Sequence, residues 1–442
     1  MKKRISVICS VVLAAVLLLS AAGCSSSATT QSSGKPGQAV KTGKTVDLMA
    51  NVQTASAEGK KADTAFQDAY LKFTAALLKD SYAASSQNRN VLLSPLSVMT
   101  ALAMTMNGAE GETLAELEEV LTTGEKTGNG AAFDREALNR YLYQYYKDLP
   151  STDKSRFSFA NSIWFREQDA GFQVEEAFLQ KNKACYGADA YQAPFNEQTL
   201  NDINGWIDQK TDHLIPKMLD QISDADVMFL INALLFDAEW ETAIGSNMIR
   251  KDKFHAISGN DQSVSMMTSD ESLLILDDDT VGIMKPYAGD KYRFAAFLPL
   301  DETADFSQYV NGLDAAKIGS LLKNVTQKSI SLTMPKFSVE YGTDLVDALR
   351  RMGVSHAFDD ADFSGISKGD ALSIGHILHK TRLELDNAGT KAAAVTVVAM
   401  TRAAMPMPGE ISAVRLDRPF VYMIIDTEQM LPVFIGTVTE IP

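Results

Sequence analysis

The stretch from Val227 to Phe236 is apolar at every position except Asn232. Side chains of a strand alternate between faces, so a strand apolar on both has to lie inside a sheet covered on each side. The single amide in the run must then find hydrogen-bond partners in that interior. A chain containing such a strand needs a large layered core, and 442 residues with 45% apolar and 22% charged content can supply one.

Other segments fill in the layers. Phe66, Tyr70, Phe73 and Leu77 fall at helical spacing within Ala65 to Leu78. Ser94 followed by Pro95 opens a second helix, whose apolar face runs through Val98, Leu102 and Met106 to a stop at Gly108. Thr113 and Glu116 have the spacing of a capping box for a third. Ile330, Leu332 and Met334 alternate with Ser331 and Thr333, as in a half-buried strand, and Phe420–Ile425 and Val433–Val438 read as two strands joined by a polar turn. No internal repeat is visible. The fold class expected is α+β, with helices concentrated early and strands late.

The first 23 residues have the form of a secretory signal peptide. Lys2, Lys3 and Arg4 precede an apolar run from Ile5 to Leu19, which is short for a membrane span, and Ala21-Ala22-Gly23 lead to Cys24. Small residues directly before Cys24 resemble a bacterial lipobox, which makes Cys24 the lipid-attachment residue; Ala21 stands where such motifs usually carry a larger aliphatic side chain. Residues 24–61 are rich in Ser, Thr, Gly, Ala and Lys, which predicts a lipid-anchored flexible linker ahead of a folded domain at 62–442. The expected location is therefore extracytoplasmic, membrane-anchored at the cell surface or secreted. Cys185 is then the one cysteine of the body, so no internal disulfide is expected there.

Enzyme chemistry finds little support. His213, His255, His356, His376 and His379 form no HExxH pattern, and the chain has no GxSxG elbow and no phosphate-binding GxxxxGK loop. Asp360 to Gly365 begins like a calcium loop but reaches Ala371 where a bidentate Glu is required. Asp277-Asp278-Asp279 reads as a solvated turn. A formal charge of −15 argues against a nucleic-acid partner. No metal and no cofactor are expected, and the chain is read as not an enzyme.

Gly389 to Ala399 is the unusual segment. It has strand chemistry, with Thr390, Ala392, Ala394, Thr396 and Val398 on one face and Lys391, Ala393, Val395, Val397 and Ala399 on the other. Met405-Pro406-Met407-Pro408-Gly409 then forbids sheet pairing. Such a run is either an edge strand or a segment with two destinations.

Together with this segment, a series of ordered motifs resembles the serpins, over about Ala65 to Pro442. Asn90 to Ser97 with Asn107 to Thr113, Ile203 to Ile207 with Thr211, and Asn232 to Trp240 carry the first half of the likeness. Met334-Pro335-Lys336-Phe337, Ala361 to Ile366, His379-Lys380, Asp417-Arg418-Pro419-Phe420 and Phe434-Ile435-Gly436 carry the second.

The resemblance implies three β-sheets with about nine helices and an exposed reactive-centre loop. It implies a suicide inhibitor of serine proteases, monomeric, whose loop is attacked to give a covalent acyl complex and then inserts into the central sheet. By position the hinge is Gly389, Thr390, Ala392, Ala393, Ala394 and Thr396; Asn387 and Lys391 stand where the family commonly has Glu. Ser94, Ser97, Asn232 and His379 match the shutter cluster beneath the sheet, and Trp240 the breach where the loop enters. Family spacing from Gly389 puts the reactive bond at Ala403–Ala404, which suits elastase-like or subtilisin-like enzymes; Arg402 would suit trypsin-like enzymes, and Met400 or Met405 chymotrypsin-like ones. A cysteine-protease target, or a non-inhibitory serpin with a binding or chaperone-like role, are the alternatives.

Overall fold

The computed structural model describes residues 43–85, 90–149, 153–167, 172–368, 372–390 and 411–442. These belong to one compact unit, Pro36–Pro442. Among them are nine α-helices and two hydrogen-bonded strand networks, of seven and nine strands. The third expected sheet is continuous with the second through the long strand Asp261–Leu276. That strand carries Ile249–His255 along its first half and Thr280–Pro286 on its last four residues.

In the seven-stranded sheet the order is Val46–Asp47, Asp189–Ala193, Ser155–Arg166, Met228–Glu239, Gly389–Thr390, His376–Leu385 and Phe337–Asp344. Met228–Glu239 is central, as its composition demanded. Met228, Leu230, Leu234, Phe236 and Ala238 face the main core. Phe229, Ile231, Ala233 and Leu235 pack on the other side with Ile203, Trp206 and Ile207 of the helix Glu197–Lys210.

Local signals explain most helix ends. Thr64–Ala84 is capped by Asp63, whose carboxylate accepts from the Phe66 N–H at 3.1 Å. Pro95–Met106 is capped by Ser94, which accepts from the Ser97 N–H at 3.2 Å. The expected capping box at Thr113 and Glu116 is not formed, because Gly111–Thr123 starts at Gly111 after Glu110 and places both residues inside the helix. Glu116 is buried and accepts from Lys126, Ser355 and His356. Burial would raise its pKa, but these donors hold it down at about 2. Thr113 accepts from the Asp362 N–H at 2.9 Å instead. Asp277 and Asp279 form the expected turn and clamp Lys317 at 2.9 and 2.6 Å.

The expected linker boundary at residue 61 is too late. Val46–Asp47 pairs with Gln192 and Tyr191 at the sheet edge, and Leu48, Met49 and Val52 are buried in the main core. Lys183 ties this strap down by donating to the carbonyls of Met49 and Val52, at 3.1 and 2.8 Å. A few apolar residues in a polar stretch suffice for docking when a sheet edge offers backbone partners. Cys24 and the preceding leader lie outside the described residues.

Candidate functional site

The central strand meets two partners along one edge. From Phe229 to Ala233 it pairs in parallel with His376 to Lys380. At its far end Glu239 and Ala238 pair antiparallel with Gly389 and Thr390, and Thr390 also pairs with Leu385. Leu234 to Phe236 lie between these pairings, with no ladder partner on that side among the described residues. The edge is a seam: zipped at its base, with Gly389 and Thr390 seated at its head.

Gly389 and Thr390 reach that place through a tight turn. Asp386 donates its N–H to the Gly389 carbonyl at 2.9 Å, and its carboxylate accepts from the Ala388 and Gly389 amides at 2.7 and 3.3 Å. Gly389 has to be glycine because an added Cβ would stand 2.1 Å from the Ala238 carbonyl oxygen. Thr390 is fully buried, and its hydroxyl shares a 2.5 Å hydrogen bond with the Tyr287 phenol. Burial pushes the pKa of that phenol up, with the Thr390 contact opposing.

Trp240, expected at the breach, packs beside the turn that carries Gly389. It donates its indole N–H to the Asp386 carbonyl at 2.9 Å and its backbone N–H to the Ala388 carbonyl at 2.8 Å. Its ring stacks on Tyr287 with centroids 4.4 Å apart. Behind it, Lys285 lies 5.3 Å from the ring centroid and forms a buried 2.6 Å ion pair with Glu271. Asn387, in place of the commoner Glu, accepts from Lys336 at 2.5 Å, so the lysine of the Met334–Phe337 motif still has a partner.

Of the four expected shutter residues, the structure joins Ser97, Ser94 and His379 in a chain of hydrogen bonds and sets Asn232 opposite His379. The Ser94 N–H donates to Nε2 of His379 at 3.2 Å, and His379 lies opposite Asn232 in the strand register. The Asn232 amide donates to Asn161 of the neighbouring strand. Ser97 is joined through its backbone N–H to Ser94, and its hydroxyl makes no contact with His379 or Asn232. Three buried atoms, Ser97 Oγ, Asn232 Oδ1 and His379 Nδ1, have no protein partner among the described residues. Burial pushes the His379 imidazole down to about 4, so it is neutral near pH 7.

Sequence reasoning missed Tyr287, Asn161 and Asp386. Tyr287 and Asn161 meet their partners across segments far apart in the chain, which no local pattern announces, whereas Asp386 acts through the turn to Gly389, an Asp-turn signal that the sequence did carry. Ala392, Ala393, Ala394 and Thr396 of the hinge, and Arg402, Ala403, Ala404 and Met405 of the reactive bond, lie outside the described residues. Cys185 is buried, and burial pushes its thiol up.

Comparison with known proteins agrees with this geometry. Residues 68–441 match the family model described as Serpin (serine protease inhibitor). An uncharacterized serpin-like protein of Thermococcus kodakarensis is 30% identical over 357 residues, covering 80% of this chain and 81% of that one. The crystal structure of the thermophilic serpin tengpin in its native state is 40% identical, with a TM-score of 0.83, over 90% of this chain and 100% of that one. Tengpin in its latent state is 37% identical with a TM-score of 0.73, over 87% of this chain and 100% of that one. The shared family model, spanning most of the chain, and the seam with its hinge lead to one conclusion: the chain belongs to the serpin family.

Proposed function

We propose that the protein inhibits serine proteases by a suicide mechanism in which its cleaved loop enters the seam beside Met228–Glu239. The observation that carries this reading is the seating of Gly389 and Thr390 at the head of the seam, above a stretch that is still zipped. The higher TM-score to native than to latent tengpin supports a closed seam among the described strands.

The register at the hinge defines where insertion would lead. Gly389 opposite Glu239 and Thr390 opposite Ala238 set an antiparallel frame. Continued residue by residue, it brings Ala392 to Phe236, Ala394 to Leu234, Thr396 to Asn232 and Ala399 to Phe229. The alanines then face the main core, where small side chains are needed against large ones. Thr396 arrives beside Asn232 Oδ1 and His379 Nδ1, which lack hydrogen-bond partners among the described residues. Lys391 arrives opposite Asp237 on the other face, so the charge that departs from the family pattern meets a carboxylate of opposite sign.

In this reading the bait bond is Ala403–Ala404, offered to an elastase-like or subtilisin-like enzyme, with Arg402 as the alternative. The target's serine attacks that carbonyl, the new amine leaves, and the acyl-enzyme is carried along by insertion before water can release it. One molecule is consumed per protease, and the protein itself turns nothing over. Lipidation at Cys24 and the residues ahead of the Val46 strap would hold the inhibitor at a membrane surface outside the cytoplasm.

The test is to incubate the mature protein with pancreatic elastase, subtilisin and trypsin separately. A complex of summed mass that survives SDS, with a released peptide beginning at Ala404, is the expected outcome. Cleavage in the loop with neither complex nor gain in thermal stability would show a substrate-like, non-inhibitory serpin.

A further inference from the structure

At the base of the seam the first residue of the strand His376–Leu385 is held from both sides. Its Nδ1 meets the Asp344 carboxylate, at the end of the strand Phe337–Asp344, and its Nε2 lies 3.2 Å from Oδ1 of Asp226, just ahead of the central strand. The imidazole stacks on Phe229, its register partner, with centroids 5.2 Å apart and planes 13° from parallel. The two carboxylates differ in what insertion would do to them. Asp344 belongs to a strand that pairs with His376–Leu385 itself, through Asp344 opposite Leu378, and travels with it. Asp226 lies across the seam, fixed by the Ser223 N–H at 2.7 Å and by Arg166, which donates to the Asp226 and Ser223 carbonyls.

We infer that His376 is a pH-dependent clamp on sheet opening: while charged it ties the inserting edge to Asp226, and loss of its proton eases the separation that loop insertion requires. The inference rests on the insertion mechanism proposed above, whose register takes Ala399 to Phe229 and so displaces His376 from it. The remaining charged groups nearby do not substitute for the clamp. Arg166 is engaged with backbone carbonyls and with the Phe195 ring, and Lys380 is turned to Glu340 and the Lys217 carbonyl.

The sign follows from counting partners. The closed sheet offers His376 two carboxylates and the opened sheet one, so the closed sheet holds the proton more tightly. The hydrogen bond to Asp344, opposed by burial and helped by Asp226, raises the His376 pKa above the ordinary value. Acid therefore favours the closed sheet, and opening becomes easier as pH rises through and above neutrality. His379, in the same seam, titrates far lower and leaves this window clear.

The experiment uses a synthetic peptide of residues 390–402 added to the intact protein, with annealing into the sheet followed by native gel and tryptophan fluorescence. For a half-exposed ion pair, annealing should be roughly two- to five-fold faster at about pH 9 than at about pH 6. His376→Gln and Asp226→Asn should each flatten the profile while leaving annealing intact. A flat or inverted wild-type profile, or a slope that survives His376→Gln, would overturn the clamp and leave the insertion mechanism standing. A peptide that anneals at no pH would overturn the insertion mechanism and the clamp with it.

Discussion

Ser94 and His379 stand 285 residues apart and are joined by one hydrogen bond, from the Ser94 N–H to Nε2 of His379 at 3.2 Å. The bond ties the cap of the helix Pro95–Met106 to the strand that must move if the seam opens. It also fixes the imidazole as an acceptor at Nε2, so a neutral ring carries its proton on Nδ1.

Acid should loosen this joint. The His379 pKa is depressed from 6.5 to about 4 in the folded state, so the unfolded chain binds the proton first as pH falls. The stability that neutral His379 supplies is complete above about 6.5 and is lost as pH drops towards about 4, by roughly 3 kcal/mol in all. Asp426 works in the opposite sense: burial raises it from 3.8 to about 6, so its contribution is greatest in acid and is lost as pH rises through about 6. Urea unfolding of wild type and His379→Gln at about pH 7 and pH 4.5 separates the two. The variant should lose markedly less stability than wild type over that interval, and equal losses would refute the assignment.

Thr390→Arg should abolish complex formation while leaving the loop cleavable. The side chain is fully buried against Tyr287, and bringing an unpaired guanidinium there costs several kcal/mol. An SDS gel of the variant with a protease that forms a complex with wild type should show cleaved serpin alone. Undiminished complex would mean that the buried seat of Thr390 is not needed for insertion.

Exchanging charge at position 237 should slow insertion. Asp237→Lys would set two ammonium groups opposite each other if Lys391 arrives where the hinge register places it, and adding Lys391→Glu should restore the rate. Like charges directly opposite on a sheet cost roughly 0.2–1 kcal/mol, hence a few-fold fall in the ratio of complex to cleaved product. Additive effects of the two substitutions would show that the residues never meet.

Leu48→Ala combined with Val52→Ala should lower stability by several kcal/mol, since each removes a buried aliphatic group at about 2–4 kcal/mol. Thermal unfolding of the full chain reads this directly. An unchanged midpoint would mean that the strap is not seated in solution.

Much of the fold could be read in advance because it depends on local periodicity. The buried strand through Asn232, the helix after Ser94 and the strands at the end of the chain each carry their pattern within a dozen residues. The need for glycine at 389 shows only in the structure, where a Cβ would stand 2.1 Å from the Ala238 carbonyl oxygen. The capping box failed because Thr113 and Glu116 satisfy the same spacing while serving distant partners, Asp362, Ser355 and His356. The linker boundary failed because composition averages over a stretch, whereas docking depends on Leu48, Met49 and Val52 alone.

The sequence by itself determined the layered α+β fold and the serpin kinship, because apolar periods and ordered motifs are properties of the chain read in order. Only the tertiary structure decided that Tyr287 receives Thr390, that Asn161 receives Asn232, and that His376 lies between Asp344 and Asp226. Those partners come from segments 32 to 150 residues apart. Their meeting is fixed by strand order and register, which arise from packing the whole core and from no single stretch of it.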